Sequence, residues 1–448
     1  MRFQSFTEMI GRYAGVSPDA PALKYEKDGL IRTDSFAQLS LAITLRAAEL
    51  RASGKTCLGL LADGSRDCVI ELFAAVQAGM QLVMLDENTP TQVLLGLLPY
   101  TDIDMLWGDP DLCEELTPYL SGGVQGGAGR ILFFTSGTTE RAKAVVLTEE
   151  SLCSSAYNGS ALLPLSEADT LMCMLPLGHV FGFVCGLLWG LSCGACVALG
   201  RGPRHYIDDL AVFRPTALSA VPLLLGFLVK QNLLNADLKL VLIGAGECPQ
   251  MLIDAVKARG IRVSFGYGLT ETSSGVALSL GDDPYAMTIC PDDKISLAED
   301  GEVLIDVPSC MMQGYYKDPE STSAALKDGL LHTGDLGRFD DEGHLFIVGR
   351  KKEMLVLGDG TKLFLPEAEA QLASLLPGAD LALCLKDDRV ALAVYNVEHT
   401  DNYIRDMIRP YQEQRPRGQQ ISDIIRLDAP VPRTATGKIK RWELRSKL

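Results

Sequence analysis

Hydrophobic and polar positions follow helix and strand periods along the first part of the chain. Residues 35–53 place apolar side chains on one helical face and Gly54 follows, which predicts an amphipathic helix with a C-terminal stop. The short apolar runs at residues 57–62 (CLGLLA) and 81–85 (QLVML) are typical of buried strands. They flank a helical pattern at residues 69–79 (VIELFAAVQAG), so this stretch predicts a β-α-β unit.

The same alternation recurs further along the chain. Apolar runs of strand length stand at residues 171–175, 195–199, 239–243 and 262–265, and a helical pattern covers residues 249–259. Strands that alternate with helices favour a largely parallel sheet covered on both faces. We therefore expect an α/β fold for this part of the chain.

The pattern changes in the last third of the chain. Residues 302–307 (EVLIDV) and 344–349 (HLFIVG) predict strands separated by charged, turn-rich sequence, and so a small β subdomain at about residues 295–350. From Lys351 onward, short strands (LALCLK, VALAVY), a helix around residues 401–414 and a basic tail predict a further small α+β unit.

One long apolar segment, residues 174–199, has the composition of a membrane span. A helix enclosed by protein on all sides is also apolar all round, and Pro176 weakens a long uninterrupted helix. No Lys/Arg cluster or aromatic belt flanks the segment. We therefore expect a buried helix whose glycine face lets a backbone or a ligand approach closely. The glycines of that face are Gly182, Gly186, Gly190 and Gly194.

Length and composition indicate a folded protein of several domains. The 448 residues are 47% hydrophobic and 22% charged, which is ordinary for a globular chain. The formal net charge of −16 disfavours binding to nucleic acid or to anionic membranes, since both need a basic surface.

The cysteines and the first residues indicate the cellular compartment in which the protein works. Most of the 12 cysteines lie in apolar runs, as expected of small buried side chains in a reducing compartment. The CxxC pair, Cys193 and Cys196, has no second pair and no histidine cluster to complete a zinc site. The first residues carry Glu8 and lack the apolar stretch of a secretory signal. We expect a cytoplasmic protein.

The segment RILFFTSGTTERAKAVVLT, residues 130–148, carries the strongest candidate chemistry. A buried strand runs into hydroxyl-bearing residues and a glycine, and a lysine follows. Backbone N–H and hydroxyl groups can donate to phosphate oxygens while the lysine neutralises charge, so we interpret the segment as a phosphate cradle. It departs from the usual P-loop pattern, and a plain polar loop is the alternative. The cradle residues are Thr135, Ser136, Gly137, Thr138, Thr139 and Lys143.

Three further segments supply complementary side chains. In SFGYGLTETSS, Tyr267 can offer a flat face to a base, and Glu271 suits Mg²⁺, which takes few protein carboxylates and borrows substrate phosphates. In LLHTGDLGRFDDEGHLFIVGRKKEML, Asp335 can accept two ribose hydroxyls, with a charged hairpin turn as the alternative. In VPRTATGKIKR, Lys438 is a movable point charge on a flexible segment.

These four segments, in this order, resemble the motifs of the ANL superfamily of adenylating enzymes. That superfamily includes acyl-CoA synthetases, adenylation domains of peptide synthetases and beetle luciferases. VQAGMQLVMLDENTP (76–90) is similar to the family's KAGAxYVPLDP segment, PLGHVFG (176–182) to its PLxHxxG, and LVLIGAGE (240–247) to its adenine-side segment. The resemblance runs over nearly the whole chain.

The resemblance implies a two-step ligase that uses ATP, Mg²⁺ and CoA or another thiol. It implies an N-terminal AMP-binding domain, residues 1–350, and a mobile C-terminal domain, residues 351–448, that rotates about a hinge near Lys352. The predicted fold class is therefore α/β, with a large N-terminal domain of mixed α/β sheets plus a small β subdomain, and a small mobile α+β C-terminal domain.

The resemblance also implies roles for single residues. The cradle would hold the β- and γ-phosphates, Thr270 would touch the α-phosphate and Glu271 would bind Mg²⁺. Asp335 and Arg350 would hold the ribose hydroxyls, and Lys438 would bridge the substrate carboxylate and the α-phosphate. The residues on the adenine side would be Gly244, Ala245, Gly246, Glu247, Tyr267 and Gly268.

The phosphate loop departs from the family pattern, which usually reads TSGTTG-x-PKG. Glu140, Ala142 and Ala144 stand where the family has glycine, proline and glycine. Because Glu140 places a negative charge near the triphosphate, we expect weaker binding of ATP rather than none.

The acid is partly constrained by the segment around His179, which resembles the family's aromatic or histidine gate; a core histidine is the alternative. Amino-acid-activating members carry an aspartate here that pairs with the substrate ammonium, whereas residues 178–181 of this chain hold no acid. Burying an unpaired ammonium is costly, so amino acids are disfavoured. The apolar, glycine-lined surroundings of Phe181 suit a fatty or aryl acid.

Three functions follow from these residues. The first is an acid–CoA ligase with a small-molecule carboxylic acid, ATP and CoA as partners, no nucleic acid and no membrane span. The second is an adenylating enzyme that loads the phosphopantetheine of an acyl carrier protein, which the acidic surface disfavours because carrier proteins are usually acidic too. The third is a degenerate nucleotide-binding protein, supported by the altered cradle and opposed by Glu271, Asp335, Arg350 and Lys438. We predict the first.

Overall fold

The computed structural model describes residues 1–123, 128–135, 142–246, 248–357, 362–386, 389–433 and 439–445. Its α-helices are α1 (Phe6–Val16), α2 (Phe36–Ala52), α3 (Arg66–Gln77), α4 (Thr91–Leu97), α5 (Pro110–Leu116), α6 (Glu149–Leu162), α7 (Val180–Phe183), α8 (Trp189–Ser192), α9 (Tyr206–Phe213), α10 (Pro222–Lys230), α11 (Gln250–Lys257), α12 (Pro319–Ala325), α13 (Leu365–Leu375), α14 (Asp401–Met407), α15 (Arg409–Glu413) and α16 (Arg441–Arg445).

The strands of the described residues before Arg350 form two sheets. They are β1 (Pro21–Lys27), β2 (Leu30–Ser35), β3 (Cys57–Ala62), β4 (Gln81–Asp86), β5 (Met105–Trp107), β6 (Arg130–Phe134), β7 (Ala144–Thr148), β8 (Thr170–Cys173), β9 (Cys196–Leu199), β10 (Ala217–Ala220), β11 (Leu240–Ile243), β12 (Arg262–Leu269), β13 (Ser274–Ser279), β14 (Met287–Ile289), β15 (Lys294–Leu297), β16 (Glu302–Asp306), β17 (Gly314–Tyr315), β18 (Leu326–Lys327), β19 (Leu330–Phe339) and β20 (Leu345–Arg350).

The larger sheet runs in the order β15-β16-β19-β20-β14-β13-β12-β11-β10-β8-β9-β1-β2, and the smaller one in the order β17-β7-β6-β4-β3-β5. Strands β8 to β12 pair in parallel in the larger sheet, as do β3, β4, β5 and β6 in the smaller one. The α/β fold predicted from the alternation of strands and helices is confirmed.

Helix α3, the crossover of the predicted β-α-β unit, is buried on nearly every face. Ser65 caps it by accepting a hydrogen bond from the Cys68 N–H, and every residue from Cys68 to Val76 is buried. Glu71 is the charged member of this run. Arg46 on α2 donates to it from Nε to Oε2 over 2.6 Å and from Nη2 to Oε1 over 3.0 Å. A buried carboxylate is tolerated because Arg46 satisfies both of its oxygens.

The apolar segment at residues 174–199 forms a buried helix followed by a strand. Helices α7 and α8 are joined by one π-helical stretch, Val184–Leu188, and β9 follows. A Cβ at Gly190 would lie 2.7 Å from a Val197 methyl group on β9, so the helix packs directly on the sheet there. A Cβ at Gly182 would lie 2.2 Å from the Pro176 carbonyl oxygen, which is the close backbone approach expected of the glycine face. Among the described residues, no helix combines the length and the apolar character needed to cross a membrane.

Strand β12 joins the parallel and antiparallel parts of the larger sheet. Its first half pairs in parallel with β11 and its second half pairs antiparallel with β13. The two strands predicted for the β subdomain correspond to β16 and β20, and together with β15 and β19 they continue this same sheet. Because β12 is shared, the residues at its end are held by both parts of the sheet.

The residues after Arg350 pack around clusters of their own. The strands here are β21 (Met354–Val356), β22 (Lys362–Phe364), β23 (Asp380–Lys386), β24 (Arg389–Tyr395) and β25 (Asp423–Arg426). Apolar side chains from these strands and from α13 to α15 form a core that includes Leu372, Leu392 and Ile404.

One helix was expected around residues 401–414, and this prediction is wrong. The stretch contains two helices, α14 and α15, because the backbone of Ile408 leaves the helical region (φ −86°, ψ 2°) where Pro410 enters the first turn of α15. A proline has no N–H, so residue 410 cannot donate the hydrogen bond to the Asp406 carbonyl that would continue α14.

Candidate active site

The predicted phosphate cradle lies between the antiparallel strands β6 and β7. Thr135 and Lys143, at its two ends, are joined through the backbone. The Thr135 N–H donates to the Lys143 carbonyl over 3.0 Å, and the Lys143 N–H donates to Thr135 Oγ1 over 3.4 Å. The other predicted cradle residues, Ser136, Gly137, Thr138 and Thr139, lie outside the described residues, as does Glu140.

A tyrosine links the cradle lysine to the predicted magnesium ligand. Tyr315, on β17, donates its hydroxyl to Glu271 Oε1 over 2.7 Å. The Lys143 Nζ lies 4.6 Å from the centroid of the Tyr315 ring, within the range of a cation–π interaction. Burial and the charge of Glu271 both raise the pKa of Tyr315, so its hydroxyl stays a neutral donor where the carboxylate is ionised.

A second set of contacts joins the predicted ribose and adenine residues. Asp335 is 3% exposed, accepts the Tyr267 hydroxyl on Oδ2 over 2.8 Å, and lies 2.8 Å through Oδ1 from Arg350 Nε. The register of β19 and β20 places Asp335 directly opposite Arg350. Burial, followed by the charge of Asp335, raises the pKa of Tyr267. The structure therefore brings all three predicted residues together.

A tight backbone approach holds the turn that carries Thr270 and Glu271. This turn is a short 3₁₀ helix at the end of β12. A Cβ at Gly268 would lie 1.8 Å from the Ser274 carbonyl oxygen, so no larger residue fits there. Ser273 and Ser274 have φ values of 55° and 116°, which are strained for residues other than glycine. Such strain clusters at functional sites, and the surrounding packing maintains it here.

The predicted adenine-side segment follows β11. Gly244 is buried, and a Cβ there would lie 2.7 Å from Cζ of the Phe181 ring. Ala245 and Gly246 are exposed, and Ala245 has a φ of 65°. Glu247 lies outside the described residues. The contact of Phe181 with Gly244 brings the predicted acid pocket against the predicted adenine segment.

His179 is not a core histidine, so that alternative is wrong. Its side chain is 54% exposed, and its Nε2 lies 3.4 Å from Asp86 Oδ2 at the end of β4. The hydrogen bond with His179 and those from Asn88 lower the pKa of Asp86. The histidine precedes α7 and is therefore presented at the start of the buried helix.

One cavity of about 1070 Å³ is lined by members of both sets of contacts. It is bordered from the N-terminal part by Lys143, Tyr315 and Arg350, and from the C-terminal part by Lys352 and Ile439, among others. Ile439 directly follows Lys438, which lies outside the described residues. The cavity is large enough for a nucleotide, and its lining includes several cations.

The predicted hinge residue follows an anchored lysine. The Nζ of Lys351 lies 2.5 Å from Asp300 Oδ2 and 3.1 Å from Glu302 Oε2. Glu302 in turn accepts the Gly334 N–H over 2.9 Å. Lys352 is exposed. The chain is therefore tied to the N-terminal sheet up to the residue before the predicted hinge.

Sequence reasoning did not identify Tyr315 or Asp86. Tyr315 stands 44 residues from Glu271, and no local pattern relates the two. The structure brings Tyr315 and Glu271 together because the Met312 N–H, just before β17, donates to the Glu271 carbonyl over 2.8 Å. For Asp86, its position at the end of a predicted buried strand was an available signal, since ligands gather where parallel strands end.

Comparison with known proteins agrees with this geometry. Residues 128–316 match the family model "AMP-binding enzyme". The chain is 26% identical to an indoleacetate–CoA ligase of Aromatoleum aromaticum, over 98% of this chain and 97% of that protein. It is 31% identical to 4-coumarate–CoA ligase 2 of Oryza sativa subsp. japonica, over 81% of this chain and 68% of that protein. The AMP complex of O-succinylbenzoate coenzyme A synthetase from Bacillus subtilis has the same fold, with a TM-score of 0.81, 23% identity and 98% of both chains covered.

Proposed function

Because the chain belongs to the AMP-binding family of ATP-dependent acid–CoA ligases, we propose that it acts on an acid that carries an aromatic ring. Relatives that match it over most of its length act on indoleacetate and coumarate, both of which are aryl acids. The ring of Phe181 against Gly244 offers such an acid a flat apolar surface beside the nucleotide segment.

The reaction has two balanced steps. In the first, a carboxylate oxygen of the acid attacks the α-phosphorus of ATP, a P–O bond forms, and the bond to pyrophosphate breaks. In the second, the CoA sulfur attacks the acyl carbon, its proton is lost to solvent, and the C–O bond to AMP breaks. Both partners of the first step are anionic, so catalysis depends on positioning and on cations placed between them.

Two sets of contacts around one cavity support the roles that we propose for individual residues. Lys143 neutralises the β- and γ-phosphates, and Thr270 donates to the α-phosphate. Tyr267 and residues 244–246 enclose the adenine. Asp335 accepts the ribose hydroxyls, and Arg350 holds Asp335 in place at 2.8 Å.

Glu271 fits the role of a Mg²⁺ ligand. Its hydrogen bond with Tyr315 uses Oε1, so Oε2 can face a cation. No cluster of three His, Cys, Asp or Glu side chains suited to a metal occurs among the described residues. A single carboxylate completed by substrate phosphates is the usual arrangement for Mg²⁺. When bound, the ion would neutralise part of the negative charge of the phosphates.

We assign the C-terminal part a mobile role. Rotation at Lys352 would bring Lys438 to the acid and α-phosphate for the first step and withdraw it for the second. Lys351, held by Asp300 and Glu302, marks the fixed side of this hinge. A rotation of this kind would complete the site for one half-reaction at a time.

This proposal is carried by the contacts that join Lys143, Tyr315 and Glu271 and by those that join Tyr267, Asp335 and Arg350. Lys143, Tyr315 and Arg350 line the cavity. The test is pyrophosphate release with ATP and Mg²⁺ across indole-acetate, coumarates and benzoates, against octanoate, palmitate and several amino acids, each with and without CoA. We expect turnover with an aryl acid that requires CoA for multiple cycles, and an acyl-CoA product by mass spectrometry.

The controls separate the two steps. Lys438→Ala should lose pyrophosphate release but still convert supplied acyl-adenylate and CoA to acyl-CoA. Turnover confined to fatty acids would refute the aryl proposal. An adenylate that CoA cannot discharge would point to a carrier-protein acceptor instead.

A further inference from the structure

Tyr315 is held rigidly at the junction of two elements of the candidate site. Strand β17 pairs antiparallel with β7, with Tyr315 opposite Val145. The Tyr315 N–H donates to Thr322 Oγ1 over 2.9 Å, and the next N–H, of Tyr316, donates to the Ala144 carbonyl over 2.7 Å. The tyrosine therefore lies beside the strand that begins directly after Lys143, in a position set by backbone hydrogen bonds.

The hydroxyl of Tyr315 determines where the carboxylate of Glu271 points. The backbone of Glu271 is held separately, because its carbonyl accepts the Met312 N–H over 2.8 Å. Its side chain has rotatable bonds that this contact does not restrain. The hydroxyl donates to Oε1 over 2.7 Å, a short distance typical of a hydrogen bond to a charged acceptor.

The ring of Tyr315 holds the ammonium of Lys143. The Nζ lies 4.6 Å from the ring centroid, while the hydroxyl of the same ring contacts Glu271. Within the described residues, Lys143 and Glu271 do not form an ion pair. Without Tyr315, the Lys143 ammonium and the Glu271 carboxylate would attract each other, and a direct ion pair would neutralise both charges.

We propose that Tyr315 is a positioning residue that keeps Lys143 and Glu271 apart, so that the lysine faces the phosphates of ATP and the carboxylate faces the Mg²⁺ that accompanies them. This inference rests on the proposed function of the same cavity. It adds to that function a residue that acts through Lys143 and Glu271.

The test is calorimetric titration of ATP into the full chain at a series of Mg²⁺ concentrations, without any acid, so that no chemistry occurs. Tyr315→Phe removes the hydroxyl and keeps the ring. We expect the Mg²⁺ concentration for half-maximal ATP binding to rise about tenfold, the effect of losing one hydrogen bond to a charged group. Tyr315→Leu also removes the ring and should weaken ATP binding at saturating Mg²⁺ by a further factor of about three.

A neighbouring tyrosine provides the matched control. Tyr316 donates its hydroxyl to Asp102 Oδ2 over 2.6 Å, so Tyr316→Phe also removes a tyrosine–carboxylate hydrogen bond next to the same strand. The Tyr316 hydroxyl also accepts the Gln81 side-chain N–H over 3.3 Å. Tyr316→Phe should therefore lower the thermal midpoint at least as much as Tyr315→Phe does, without changing the Mg²⁺ dependence.

The possible outcomes separate this inference from the proposed function. If Tyr315→Phe binds ATP with the parent's Mg²⁺ dependence, the tyrosine is only structural and the inference fails. If the parent chain itself does not bind ATP in a Mg²⁺-dependent way, the proposed function fails. In a Lys143→Met background, the extra loss of ATP affinity from Tyr315→Leu should disappear, because no ammonium remains to be misdirected.

Discussion

Replacing Asp293 by asparagine should make the protein more stable at neutral and alkaline pH. Asp293 is 8% exposed, and its Oδ1 accepts the Asn158 side-chain N–H over 3.1 Å. Among the described residues, neither Asp293 Oδ2 nor Asn158 Oδ1 has a hydrogen-bond partner. Both are acceptors when the carboxyl is ionised, whereas a proton on Asp293 supplies the missing donor. The structure therefore favours the neutral carboxylic acid.

The size of the effect follows from the pKa of this group. Burial raises the pKa of Asp293 from 3.8 to about 7; the charge of Asp292 also raises it, while Asn158 and Arg2 oppose the change. At about 1.4 kcal/mol per pKa unit, the cost of ionising Asp293 in the folded protein is at most about 4 kcal/mol. A raised carboxyl pKa means that the folded protein holds a proton that the unfolded chain has lost. The parent's free energy of unfolding therefore falls as the pH rises from about 4 to about 7, and then levels off.

Urea unfolding of the parent and of Asp293→Asn, from about pH 5 to about pH 8, measures how the cost of ionising Asp293 lowers the free energy of unfolding. The variant carries a neutral amide in place of the acid, so its advantage should be small at the acidic end and largest at the alkaline end. Asp292→Asn is the control, because Asp292 is exposed and contacts Arg2 at the surface. An advantage for Asp293→Asn that does not change with pH, or one that Asp292→Asn reproduces, would refute the reasoning.

Three further substitutions test the packing and the chemistry of the site. Gly268→Ala places a methyl group 1.8 Å from a backbone oxygen and should cost about 3 kcal/mol in urea unfolding, whereas Gly275→Ala, with its nearest atom at 3.9 Å, should cost much less. Gly349 has a φ of 154°, and a Cβ there would lie 2.1 Å from Cζ of the Phe364 ring, whereas Gly343 has a φ of 84° and open space around it. Gly349→Ala should therefore lower the thermal midpoint more than Gly343→Ala, and equal midpoints would contradict this. Asp335→Asn should weaken ATP binding about tenfold while its Mg²⁺ dependence stays the same, which calorimetry can check.

Much of the fold could be predicted from local pattern. The strands at residues 57–62 and 81–85, and the helix between them, lie within a few residues of their observed bounds. These segments are continuous apolar runs of strand or helix length, and a run is a property of neighbouring residues. The helix expected around residues 401–414 was predicted less well, since a single proline within it decided where one helix ended and the next began.

The candidate site was predicted in part. Asp335, Arg350 and Tyr267 were singled out from separate motifs, and the structure places them in contact. The exposure of His179 was left open by the sequence, since an apolar segment surrounds it in either case. Its environment depends on β4, whose last residue meets it from another part of the chain.

The sequence alone determined the alternation of strands and helices, the net negative charge and the motifs that resemble adenylating enzymes. Each of these depends on residue types at short spacing or on totals over the chain. Only the tertiary structure decided that Tyr315 separates Lys143 from Glu271, and that Asp293 meets Asn158 across 135 residues. The pairing of distant strands sets these contacts, and the energies of a cation–π contact or a buried carboxyl depend on distance and burial, which no local pattern specifies.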